Sequence, residues 1–361
     1  MRSIEGTLTE EIQNAVGSER VSAAAPFPVR TYRALVEHVA KLAYLNKDHL
    51  LFFRGQATDY KNKAGASTFY PSIYRGDYVP RHEVRHRFDV LQGASQLLAR
   101  KFREKKLPGA PELQRKRYIQ WSVLQHYEVC GTPLLDFTHS VRVACSFALD
   151  GNETGHGHLF VFGMPYITNR ISINSEHDLV NVRLLSICPP NALRPYFQDG
   201  YVAGTEDVMD EYDSKSELDF NNRLIAKFRF TGSKTFWGRD FSPIPHQALY
   251  PRSDEVLELC QEVKEEAERE LQSGTRGDFL KTWAELEREL MDASSAERTR
   301  LTIRDAIHSL ARAKKLDEET AASLDQARRF RNELVHRPDK VSPSDVGKFL
   351  ERIELILRTL T

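Results

Sequence analysis

The sequence predicts an α+β domain of short strands and helices of unequal length, followed by an all-α helical bundle. Three observations carry this. Up to about residue 250, short apolar runs alternate with stretches of helical periodicity. From Ser253 onward, five helical segments follow one another with no strand pattern between them. The length of 361 residues, at about 150 per domain, suggests two domains. The expected divisions are a polar lead-in at 1–29, a mixed domain at 30–252 and a helical domain at 253–361.

The elements follow in order. Tyr32, Leu35, Val36, Val39, Leu42 and Ala43 recur at helical spacing, and His49 to Phe53 forms a short apolar strand that delivers Arg54-Gly55-Gln56 into a loop. A long helical stretch runs from His82 to Tyr127, broken at Pro108-Gly109. Leu134 to Thr138 reads as a strand after the turn at Gly131-Thr132-Pro133, and Val141, Ala144, Cys145 and Ala148 repeat helically behind it. Further strands are expected at GHLFVFGM, VRLLSI and LIAKFRFTG. The last helix has clear start chemistry, with Ser342 as cap, Pro343 at the first helical position and Asp345 in the first turn. Its apolar stripe, Val346, Phe349, Leu350, Ile353, Ile356, Leu357 and Leu360, needs a partner helix in the bundle or in a second copy of the chain.

Composition narrows the function classes. Lys plus Arg (51) equals Asp plus Glu (51), so no global field recruits nucleic acid or an anionic membrane. Residues 75–117 do hold twelve Lys or Arg against five Asp or Glu, a local excess that suits either phosphate contacts or a solvated helix face. No apolar run approaches the roughly 18 to 20 residues of a membrane span and the first residues lack a secretion signal's apolar core, so a cytoplasmic protein is expected. Cys130, Cys145, Cys188 and Cys260 form no CxxC pair, which signals neither a disulfide framework nor a metal site. P-loop, GxGxxG, GxSxG and HExxH motifs do not occur.

Several ordered motifs remain: Phe53-Arg54-Gly55, Pro71-Ser72, Gln125-His126-Tyr127, Leu134-Leu135-Asp136-Phe137-Thr138, the helix Ala144 to Ala148, and Arg194 followed by Gln198 and Gly200. Together they resemble the FRG domain, a bacterial module, over roughly residues 30–252. Many FRG domains carry Thr-Arg before the Leu-Leu-Asp step, whereas Gly131-Thr132-Pro133 stands here. The order of elements is similar to that of ADP-ribosyltransferases, and the resemblance implies such a fold acting on NAD without metal. In those enzymes a first-strand Arg or His holds the dinucleotide, a middle Ser/Thr strand supports the nicotinamide ribose, and a late Glu stabilises an oxocarbenium-like transition state. By that resemblance Arg54, Asp136 and Gln198 are the candidate catalytic residues, and Arg54, Gly55, Gln56, His126, Thr138 and Ser140 the candidate cofactor-binding residues.

Chemistry fits part of this: a planar guanidinium suits a pyrophosphate, and Thr138 and Ser140 can exchange hydrogen bonds with ribose hydroxyls. Gln198 is neutral, so a developing cation must look to Asp136, Asp199 or Glu206 for charge. The alternative reading is structural, with Arg54 paired to Asp136 inside the fold and His126 a core imidazole.

In the helical half, Arg331-Asn332-Glu333-Leu334-Val335-His336 resembles the Arg-Asn-x-x-x-His signature of HEPN domains, many of which dimerise and cut RNA without metal. The resemblance implies Arg331 holding a phosphate while His336 moves a proton. Five residues of separation puts those two side chains about 140° apart on a helix, so a tight site needs a long Arg reach or a second protomer. Residues 251–361 carry 24 acidic and 20 basic residues, a poor balance for an RNA surface. Packing or dimer contacts are the alternative. The fusion of two such modules points, by analogy, to bacterial conflict: a toxin or an antiviral effector using NAD, a ribonuclease with an FRG sensor, or a non-enzymatic binding module awaiting an RNA or protein partner.

Overall fold

The computed structural model describes residues 1–76, 79, 81–205, 214–269, 275–294 and 302–360. The chain forms two compact units, residues 1–77, 105–128 and 132–258 in the first, and 78–104, 129–131 and 259–361 in the second. The units therefore do not follow the expected linear division at 252/253, because the helix at 81–104 belongs with the C-terminal helices.

The first unit is built on an eight-stranded sheet in the order β1-β8-β4-β2-β3-β7-β6-β5. The strands are β1 Phe27–Pro28, β2 Leu50–Gln56, β3 Leu135–Thr138, β4 His156–Met164, β5 Ile171–Asn174, β6 Leu179–Arg183, β7 Gly200–Gly204 and β8 Leu224–Thr231. All pairings are antiparallel except β1 with β8. Both faces of the central strands are buried, which is why β2 and β4 read as continuous apolar runs rather than alternating ones. Leu51, Phe53, Leu159 and Val161 enter one core with Leu35, Val39 and Leu42 of helix α2 (Tyr32–Leu45). Phe52, Phe160 and Phe162 enter the other with Phe137 and Tyr201.

Three sequence expectations change. The lead-in is part of this unit: it supplies α1 (Glu10–Val16), capped by Thr9, whose Ile12 is buried, and β1 at the sheet edge. Arg54-Gly55-Gln56 is not a loop but the end of β2, because β4 continues alongside and pairs Arg54 with Phe160, Gly55 with Leu159 and Gln56 with His158. VRLLSI is strand only to Arg183, after which it turns into a short helix.

The helices numbered from α3 onward are α3 Arg81–Glu104, α4 Ala110–Arg115, α5 Arg117–His126, α6 Val141–Leu149, α7 Leu184–Ile187, α8 Arg194–Phe197, α9 Lys234–Trp237, α10 His246–Leu249, α11 Glu255–Ala267, α12 Thr275–Ala293, α13 Ile303–Arg312, α14 Glu318–His336 and α15 Pro343–Leu360. In the second unit, α12 to α15 share one core in which Phe279, Trp283, Leu286 and Leu290 meet Phe330, Leu334, Val346, Ile353 and Ile356. The stripe of α15 thus finds its partner, α12, in the same chain. Helix α3 joins this unit through Arg85 to Glu287 (2.7 Å) and Lys101 to Glu266 (3.1 Å), so some of the basic residues of the 75–117 stretch are spent on ion pairs. No helix among the described residues is long and apolar enough to cross a membrane.

Candidate functional site

The site begins with a parting in the sheet. Strands β2 and β3 are in register at Phe53 and Thr138. Beyond that pair, residues 54–56 keep to β4 and residues 135–137 keep to β7, so the two strands separate and leave a cleft between them. Antiparallel partners share a face, so Phe53, Gly55, Asp136, Thr138 and Gly200 line one side of the sheet, while Arg54 sits on the opposite face with Phe52. Arg54 spans the parting: its Nη1 donates to the Asp136 carbonyl at 2.7 Å. Its Nε is buried without a partner among the described residues. Burial, then the nearby Arg75 charge, lower the guanidinium to about 10, against the pull of Asp136, so it stays cationic at neutral pH.

A cavity of about 230 Å³ occupies the cleft, and Arg54, Gly55, His126, Asp136, Thr138 and Gln198 all line it. The Asp136 carboxylate faces this cavity and does not pair with Arg54; it accepts from Gln125 Nε2 at 2.6 Å and lies 3.3 Å from His126 Nδ1. Burial works to raise the Asp136 pKa, but the His126 and Gln125 hydrogen bonds and the Arg54 charge outweigh it and hold the group below its ordinary value. Gln125 is fixed from behind, its Oε1 accepting from the hydroxyls of Thr132 and Ser72. The Pro-Ser, Gln-His-Tyr and Leu-Leu-Asp motifs are thus one hydrogen-bonded network.

A carboxylate at Nδ1 fixes the His126 proton there, which leaves Nε2 as an acceptor; that atom is buried and without a described partner. The lack of a side chain at Gly200 answers packing against Leu184, since a Cβ there would come 2.9 Å from Leu184 Cδ1, whereas its 3.4 Å distance from His126 Cε1 is an ordinary contact. Thr138 Oγ1 accepts from Ser140 N–H at 3.1 Å, keeping its own proton to donate. Gln198 Nε2 donates to the Leu249 carbonyl at 2.8 Å, so its oxygen is the end left for a ligand hydroxyl.

Not every expected residue meets the cavity. Ser140 caps α6, accepting from Val143 N–H at 3.2 Å. Gln56 lines a neighbouring cavity instead. Gly55 lines this one, yet its lack of a side chain answers a packing demand, because a Cβ there would stand 1.7 Å from the Ala144 carbonyl oxygen of α6. Asp199 is not among the lining residues, and Glu206 lies outside the described residues. Arg194 acts as a clamp, between the rings of Tyr127 (5.2 Å) and Tyr250 (5.0 Å) with its Nη1 on the His126 carbonyl.

Glu128, Phe147 and Tyr250 also line the cavity and were not singled out by the sequence. Phe147 sits inside the α6 motif, and Glu128 holds a left-handed backbone, φ 55°, just past the Gln-His-Tyr step. Nothing in the sequence marks Tyr250. Burial first, then the charges of Glu128, Asp150 and Asp136, push its phenol up to about 12, so it remains a donor at neutral pH.

In the second unit, Arg331 is bound to the Asp89 carboxylate and reaches Asn332 Oδ1 at 3.2 Å, while His336 is exposed at the last position of α14. The structure joins these two side chains by no described bond. Among the described residues no group of three or more His, Cys, Asp or Glu is placed to hold a metal ion.

The FRG domain family model matches residues 49–156, a stretch that contains β2, β3, α6 and every lining residue of the cavity up to Phe147. No curated protein and no solved structure matches the chain.

Proposed function

We propose that the FRG-containing unit binds NAD across the parting between β2 and β3 and breaks the bond between nicotinamide and its ribose, as an effector of the toxin or anti-phage class. The observation that carries this is the convergence of Arg54, His126, Asp136, Thr138 and Gln198 on one cavity. The residues fit such a ligand on two counts. Arg54 Nε and His126 Nε2 are buried polar atoms with no described protein partner, a state that costs about 1–3 kcal/mol each unless something supplies the missing bond. Arg54, Thr138 and Gln198 also come from β2, β3 and the junction between α8 and β7, three strands adjacent in the sheet, in the order of Arg, Thr and late polar residue that the ADP-ribosyltransferase resemblance implies.

Roles follow from the contacts. Arg54 grips the pyrophosphate through the edge of its guanidinium not used on Asp136. Thr138 donates to, and the Gln198 oxygen accepts from, ribose hydroxyls. As the glycosidic C–N bond breaks, nicotinamide leaves with the electron pair and positive charge develops on the ribose carbon. Asp136, held ionised beneath the cavity, supplies the negative charge that Gln198 lacks. Water or an acceptor hydroxyl then bonds to that carbon, and its proton passes to His126 Nε2. A cavity of 230 Å³ lies just under the range of about 300–1,000 Å³ typical of ligand sites, the size for the reacting end of the dinucleotide rather than its whole length.

The test is release of nicotinamide from NAD by the full chain, alone and with cell extract, alongside calorimetric NAD binding. Arg54→Ala should weaken binding at least about tenfold, the loss of a charged hydrogen bond. Asp136→Asn should bind yet release nicotinamide at least about a hundredfold more slowly. Unchanged NAD affinity in Arg54→Ala, or no release under either condition, overturns the proposal and leaves a binding module.

A further inference from the structure

A second and larger cavity, about 930 Å³, adjoins Arg54. Five cationic side chains line it, Arg54, Lys61, Lys63, Arg75 and Lys215, and no carboxylate appears among its described lining residues. Of the described carboxylates that flank these segments, Asp59 pairs with the buried Lys227 at 3.3 Å, while Asp219 accepts from the Phe69 and Asn221 N–H groups at 2.8 and 2.9 Å, takes a further hydrogen bond from Tyr70 and interacts with the Lys215 charge. Glu217 is exposed and outside the lining.

Aromatic rings are interleaved with these charges. Tyr60, 61% exposed, stands on the cavity, and Phe69 and Tyr70 form its wall. Lys215 lies 4.7 Å above the Tyr70 ring and also bonds the Gly76 carbonyl, while Arg75 Nε donates to the Tyr70 carbonyl at 3.1 Å. Lys61 and Lys63 are carried on a turn closed by Asn62, whose side chain accepts from Ala64 and Ala66. Arg75 and Lys215 are therefore held to a shaped wall, and Lys61 and Lys63 are exposed on a defined turn that lines it.

We infer that this cavity is a binding site for single-stranded nucleic acid, with the cations on successive phosphates and Tyr60 stacked on a base. Cationic grooves that track a backbone, with rings that accept any base, are what such binding requires. The concave wall admits one or two nucleotides of a strand and excludes the stiff surface of a duplex. Net neutrality of the whole chain is no obstacle, because the phosphate contacts are local. The site shares Arg54 with the NAD reading but does not rest on it: a chain that ignores NAD and binds the strand still supports the inference.

The probe is a fluorescent single-stranded oligoribonucleotide of about a dozen mixed-sequence residues, long enough to cross the cavity and extend past both of its edges, followed by anisotropy with the full chain. Lys61 and Lys63 are exposed, so Lys61→Glu/Lys63→Glu folds; it should bind at least about tenfold more weakly and lower the slope of log affinity against log salt by roughly 1.4. Tyr60→Ala should lose about tenfold. Lys105→Glu/Lys106→Glu, in the other basic stretch, should stay within about twofold, and NAD binding should be unchanged in the Lys61/Lys63 variant. Absence of binding at low salt overturns the inference. So does a loss confined to Lys105→Glu/Lys106→Glu, which places the strand elsewhere. A silent Tyr60→Ala combined with full competition by inorganic polyphosphate also overturns it, in favour of a phosphate site that reads no base.

Discussion

Gly55→Ala tests whether the glycine of the Phe-Arg-Gly motif serves the fold rather than the ligand. An added Cβ would sit 1.7 Å from the Ala144 oxygen, 2.6 Å from its carbonyl carbon and 3.1 Å from Ala148 N, all main-chain atoms of α6. The first distance is 1.3 Å short of the 3.0 Å below which real Cβ contacts essentially never fall. No rotamer can relieve a clash with backbone, so α6 must lift off β2. That helix is held by the Ser140 cap and by Ala144, Cys145 and Ala148, all buried in the core it shares with β2. Overpacking of this kind costs about 3 kcal/mol or more. For a unit of some 200 residues, about 2–4 °C per kcal/mol converts this to a loss of roughly 6–12 °C in Tm. Differential scanning calorimetry of the full chain reads it directly. A variant that melts within about 2 °C of the parent would refute the packing argument and return Gly55 to the ligand.

Four further outcomes are expected. Gly347→Ala in α15 meets nothing within 4 Å, so it should stabilise the helical unit by up to about 1 kcal/mol in the same calorimetric scan. Asp136→Asn should destabilise the first unit at neutral pH. Because the folded pKa of Asp136 is depressed, the stability it contributes is present above the ordinary carboxylate pKa and is lost as pH falls through the folded value, so denaturant curves of variant and parent should converge in acid. Asp89→Ala leaves the partly buried Arg331 without its carboxylate and should cost about 2 kcal/mol by chemical denaturation, with much of that absent in an Arg331→Ala background. Arg194→Lys, which loses the planar stacking between Tyr127 and Tyr250 and the guanidinium bond to the His126 carbonyl, should lower NAD affinity, read as weaker binding by calorimetry.

Much of this arrangement was legible because its signals are local. The apolar run before Arg54, the period of α6 and the Ser342-Pro343 start of α15 each follow from neighbouring residues. The motif set also brought Arg54, His126, Asp136, Thr138 and Gln198 to one cavity, since a motif records side chains that meet without saying how. What stayed hidden depends on partners distant in the chain. The polar start conceals Ile12, whose burial needs the sheet face that forms later. VRLLSI has a strand's composition, but its last four residues are helical, a tertiary choice over propensity. Helix α3 reads in sequence as the first part of a helical stretch broken only at Pro108-Gly109, yet its Arg85 and Lys101 find carboxylates on α12 and α11.

The pairing of Arg54 with Asp136 shows why contact type, not proximity, decides between a structural and a ligand role. Had the guanidinium met the carboxylate, both charges would be satisfied and the cleft would hold no pull on an anion. Instead Arg54 takes the Asp136 carbonyl, a neutral acceptor that orients the side chain without cancelling its charge, and the carboxylate is held by Gln125 and His126 on the other face of the strand. Consecutive positions on a strand point to opposite faces, so a cation on the Phe52 face of β2 and an anion on the Thr138 face of β3 can share a parting and remain unneutralised. One side of the gap then favours phosphate and the other favours a developing positive charge. On the proposed function, the ligand that uses both sides is anionic at one end and cationic at its reacting end.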